Sequence, residues 1–195
     1  MDAATAAQLF IHIRIPMGTV VGLGMARLLL GFAGFIQHPG RARLFPVHLM
    51  WGASLFLMLV HFWWWEFALI HKTDWSYLEF IFLIAYCTAL FLLSVLLFPD
   101  DVKEYGGYEE FFMARRAWFF GLLALTIVFD VFDSSLKGPD YLANFDLEYT
   151  IQVPLGIAFC AVAILTRNRY YHYAIAIAQL LYQLSWIVRL FYLSG

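Results

Sequence analysis

Six long runs of mostly apolar residues decide what this chain can become. They fall at about 16–36, 47–70, 77–98, 117–132, 150–166 and 171–193. A helix needs about 20 such residues to cross about 30 Å of hydrocarbon. The expected fold is therefore all-α: one polytopic membrane domain over 1–195, a bundle of six transmembrane helices. No soluble domain is left over, because the longest gap is about 18 residues. Composition agrees: 63% of residues are hydrophobic and 13% charged, against about a quarter charged in soluble domains. That balance excludes a soluble globular chain and a disordered one. A net charge of −2 offers no basic face for nucleic acid. Cys87 and Cys160 lie within apolar runs and read as buried free thiols.

Orientation follows from the basic residues in the short loops. Arg41, Arg43, Lys103, Arg115, Arg116, Arg167 and Arg169 flank one side; Arg14, Lys72 and Lys137 flank the other. The first group should face the cytoplasm. Both termini are then expected to be periplasmic, in a bacterial inner membrane. The acidic loop from Asp133 to Glu148 would lie on the same side as the termini. Trp63, Trp64 and Trp65 read as interface anchors: consecutive helical residues point about 100° apart and cannot all face one ligand.

The segment 99–116 is the most distinctive connection. Pro99 should end the third span, and Gly106-Gly107 marks a turn. Tyr108 to Met113 then mixes acidic and aromatic residues, as an interfacial helix would. Two readings stay open, an interfacial connector and a gate or docking element for a protein partner. Phe98-Pro99-Asp100-Asp101, Tyr105, Tyr108, Phe111-Phe112 and Arg115 to Phe120 resemble a pattern in a family of small uncharacterised bacterial inner-membrane proteins. His48 to Trp51 and Phe62-Trp63-Trp64 extend the resemblance over most of the chain. It implies a membrane location and no activity.

Ionisable groups within spans are costly, so each needs a partner or a function. Arg27 lies in the middle of the first run and should face the bundle interior, toward a carboxylate or backbone carbonyls. Glu66, Asp130, Gln183 and Arg189 come from three different runs at a similar expected depth, with Asp133 and Gln152 beside them. Thr126, Asp130 and Asp133 share one helix face, as do His172, Gln179, Tyr182, Gln183, Trp186 and Arg189. These faces are expected to meet in a polar pocket in the outer half of the bundle. Arg189 would pair with Asp130 or Glu66. The alternative is a set of satisfied contacts that merely orient the helices.

Gly18 and Gly22 form a GxxxG step, suited to close packing inside the bundle or to a homo-oligomer. His48 and His172 fall near cytoplasmic ends, and His61 toward the outside. Paired imidazoles can hold b-type haem, so His48, His61 and His172 are the ligands of an electron-carrier alternative. No cofactor is otherwise expected. No phosphate loop, zinc motif or nucleophile elbow occurs, and no residue set argues for an enzyme. The leading expectation is a small-solute or ion channel or transporter, with Arg27, Glu66, Asp130, Gln183 and Arg189 lining its pocket. A scaffold subunit is the third reading.

Overall fold

A computed structural model describes residues 3–38, 45–100, 102–138, 141 and 147–193. Six α-helices account for most of them, and the described residues contain no strand. They are α1 (Ala3–Gln37), α2 (Pro46–Trp65), α3 (Tyr77–Leu97), α4 (Tyr108–Leu136), α5 (Leu147–Leu165) and α6 (Arg169–Leu193). Short 3-10 turns follow α2 at Glu66–His71 and precede α4 at Lys103–Tyr105.

Local chemistry sets the helix limits. Pro46 opens α2, where its missing N–H costs nothing. Ser76 and Glu79 cap α3 reciprocally, each side chain bonding the other's backbone N–H. Gly138 adopts φ +101° just after α4, a left-handed stop that favours glycine. α1 takes in the residues before Pro16 and reaches 35 residues, about 52 Å of helix. α4 starts at Tyr108, so Tyr108 to Arg116, expected as a separate interfacial segment, form its opening turns.

Five of these helices are long and apolar enough to cross a membrane. The five apolar segments suit a multi-pass membrane protein. α6 is long enough, with 25 residues, but its polar side chains keep it less apolar than the others.

α1 lies along α3, α3 along α4 and α4 along α5, while α6 lies along α2. α2 also meets α1, α3 and α4, which puts it at the centre. Direct contact between α5 and α6 is slight. Large side chains such as Phe10, Met17, Leu28, Leu59 and Leu90 fill the interior. In lipid, apolar burial alone does not hold helices together, because acyl chains are as apolar as leucine. Close packing and polar contacts must choose the partners. Phe98 shows the packing side. A Cβ on Gly31 would lie 2.3 Å from its ring, so only glycine admits the ring there. Cys87 and Cys160 are free and buried.

Candidate functional site

The polar side chains gather at the two ends of the bundle. One end holds Glu66 and the start of α3; the other holds the end of α3 and Asp100.

At the first end, Lys137 reaches back from the end of α4 between two carboxylates. Its Nζ lies 2.9 Å from Glu66 Oε1 and donates a hydrogen bond to Asp133 Oδ2. The side chains of Lys137, Glu66 and Asp133 are 3%, 0% and 1% exposed. Burial alone would lower the lysine's affinity for its proton. The charges of Asp133 and Glu66 outweigh that and raise its pKa above the ordinary lysine value, so it stays charged. The cluster therefore counts two carboxyl groups to one ammonium. Both oxygens of Glu66 and Oδ1 of Asp133 accept no aligned hydrogen bond among the described residues.

The cluster continues down α4. Asp130 accepts a hydrogen bond of 2.8 Å from the Tyr149 hydroxyl on α5. Tyr86 of α3 is buried and packs edge-on against Phe129 of α4, with centroids 5.8 Å apart. Thr126, buried on the same face, turns its hydroxyl onto the Leu123 carbonyl. From Thr126 to Lys137 this polar stripe spans eleven helical steps, about 16 Å. Below it the face turns aromatic. Trp51 packs edge-on against Phe119 and Phe120, with centroids 5.3 and 5.5 Å away.

Glu66 and Asp130 thus come together, through Asp133 and Lys137. The other three residues expected in the pocket do not join them. Arg189 makes a bidentate pair with Glu148, both bonds 2.7 Å. This corrects the expected pairing with Asp130 or Glu66, which are taken by Tyr149 and Lys137. Tyr182 completes that second cluster, donating to Glu148 at 2.8 Å or Gln152 at 2.9 Å. It ties α5 to α6 where they otherwise barely touch. Gln183 is buried and accepts a 2.7 Å hydrogen bond from Ser54 on α2.

Arg27 belongs to the opposite end. It donates to the Phe98 carbonyl and to Asp100 Oδ1, each at 2.5 Å. It does find a carboxylate and a carbonyl, but at the end of α3 rather than in the outer half. Beside it His48 is fully buried, and its Nε2 bonds the Leu97 carbonyl. Together they satisfy two carbonyls that a helix end leaves without partners. The same arrangement recurs on α5. Arg116 Nε and His172 Nε2 both bond the Thr166 carbonyl, at 3.1 and 3.2 Å.

These bonds bear on the haem alternative. His48 is stacked on Tyr108 with centroids 4.6 Å apart, and His172 on Phe120 at 5.6 Å. Their Nε2 atoms face carbonyl oxygens and so carry the hydrogen, while their buried Nδ1 atoms have no hydrogen-bond partner among the described residues. His61 packs near Trp186 at 6.5 Å. Among the described residues no three of His, Cys, Asp and Glu gather as a metal site.

Gly18 touches Trp63 within the chain, where a Cβ would come within 2.8 Å of the indole; Gly22 faces open space. Asp100 and Tyr108 meet the bundle through the Arg27–Asp100 pair and the stack of Tyr108 on His48, and a Tyr105–Arg115 bond ties the segment to itself. Arg41, Arg43 and Asp101 lie outside the described residues.

Sequence reasoning placed Lys137 and Glu148 in loops and missed both as site residues. The signal for Lys137 was its spacing: it follows Asp133 by four and Asp130 by seven, on the same face. Comparison with protein-family models, with curated proteins and with solved structures gives no match. The functional reading rests on geometry alone.

Proposed function

We propose that this chain is a six-span membrane permease for protons or a small cation, and that Glu66, Asp133 and Lys137 form its occluded binding point. One observation carries the reading: two carboxyl groups share one lysine in a site closed to solvent. A buried cluster with one excess negative charge calls for one more positive charge. A proton or a small cation supplies it. The Asp130–Tyr149 pair extends the path inward along α4, and the Trp51–Phe119–Phe120 layer closes it below. α6 spans with its polar stripe turned inward, as the buried His172 and Gln183 and the exposed Leu181 and Val188 support. The Asp100 end, rich in arginine, faces the cytoplasm, and both termini face the periplasm.

Reconstitution in liposomes loaded with a pH-sensitive dye tests this. An imposed membrane potential should acidify wild-type vesicles, or drive sodium or potassium uptake, faster than empty vesicles. Glu66→Gln should abolish the flux. Wild-type vesicles no leakier than empty ones to all three ions would end the proposal.

A further inference from the structure

The cation Arg14 is left over by everything above. It has no carboxylate partner among the described residues, and its Nε is buried without a hydrogen bond. It lies within a helix apolar enough to span a membrane. What surrounds it is aromatic. Its guanidinium carbon sits 4.7 Å from the Trp63 ring centroid, 5.5 Å from Phe10 and 5.8 Å from Phe67. These rings hold the cation in place through their electron-rich faces, but they do not neutralise it.

Arg14 also lines a surface groove of about 520 Å³, with Ile11, Ile15, Gly18, Thr19 and Trp63. Ile11 and Ile15 are each 63% exposed, so the groove has an apolar wall open to lipid. Its depth follows from α1. Arg27, thirteen residues on, is level with the end of α3. Arg14 is therefore about 20 Å from that end, short of the far headgroups. Side chains on a helix lean toward its N-terminus. α1 begins at the Glu66 end, where Phe10 stacks on Trp75. Arg14 thus leans toward the nearer headgroup layer, back over Phe10.

We infer that this groove seats an anionic phospholipid, its phosphate on the Arg14 guanidinium and an acyl chain against Ile11 and Ile15. The charge is complementary, the guanidinium has no hydrogen-bond partner among the described residues, and the wall suits a chain. A guanidinium presents a fork of donors matched to phosphate.

Native mass spectrometry of the detergent-solubilised full chain, with added lipid, tests the site. Wild type should retain one phosphatidylglycerol about tenfold more tightly than phosphatidylcholine, whose phosphate is the same but whose choline cation cancels the net charge and is repelled by Arg14. Arg14→Gln should bring phosphatidylglycerol down to the phosphatidylcholine level. Ile15→Trp, which fills the groove and leaves the charge, should also release the lipid. Equal retention of both lipids by wild type would overturn the assignment, and that comparison needs no variant. So would unchanged phosphatidylglycerol retention in Arg14→Gln. Displacement of the lipid by millimolar inorganic phosphate would make this a site for a free anion and overturn the lipid.

Discussion

Gly31 and Gly22 sit nine residues apart on α1, yet a methyl group added at each meets different surroundings. At Gly31 it would collide with the Phe98 ring at 2.3 Å; at Gly22 nothing lies within 4 Å. Gly31→Ala should therefore destabilise by about 1–3 kcal/mol, the usual cost of overpacking. Gly22→Ala should be neutral. Thermal unfolding of both variants in detergent checks this, and equal melting temperatures would show that Phe98 is not wedged there. The same contrast limits what a glycine pattern can tell from sequence. The GxxxG spacing of Gly18 and Gly22 was plain, but among the described residues only Gly18 has a side chain packed onto it. Spacing shows which residues share a face, not what covers that face. Arg189 makes the same point. Its depth was legible, which made Asp130 and Glu66 reasonable partners. Rotation about α6 decides otherwise and aims it at Glu148.

Helix ends repeat one solution. The last carbonyls of α3 receive Arg27 and His48; the last carbonyl of α5 receives Arg116 and His172. A cation at a helix C-terminus also meets the negative end of its dipole. Arg27→Gln and His48→Ala should each cost about 1–2 kcal/mol, the range for losing a hydrogen bond to a buried group. The loss should be local. Hydrogen exchange should quicken in the last turn of α3 and remain unchanged in α5. Arg116→Gln should show the reverse. Exchange that quickens everywhere would mean that these residues support the whole bundle rather than one end. The apolar runs made the helices legible because hydrocarbon demands length and apolarity together. The caps were not legible, since Arg27 and Phe98 lie 71 residues apart and sequence carries no sign of their meeting. His48 and His172 were placed near helix ends by the sequence, but the carbonyls opposite their Nε2 atoms were not.

For the whole molecule, the count of crossings hangs on α6. Alone it is too polar to resemble its neighbours, and its polar residues are tolerable only against α2 and α5. If it crosses, both ends of the chain lie on one side of the membrane. Thr5→Cys and a cysteine tag after the last residue should then react with an impermeant maleimide from the same side. Arg167→Cys should react only from the other. Labelling of the two ends from opposite faces would put α6 outside the bilayer and remove one wall of the proposed permease.

The capping pattern also sets an order in time. Arg27 and His48 precede α3 in the chain, so both are already made when its last turn emerges during synthesis. α5 has no such advantage. Arg116 comes before it, but His172, like the Arg189 that pairs with Glu148, arrives only with α6. The first three helices can close on themselves as they are born. The last two must wait for each other, and the least apolar helix is made last, when its partners stand ready to receive it.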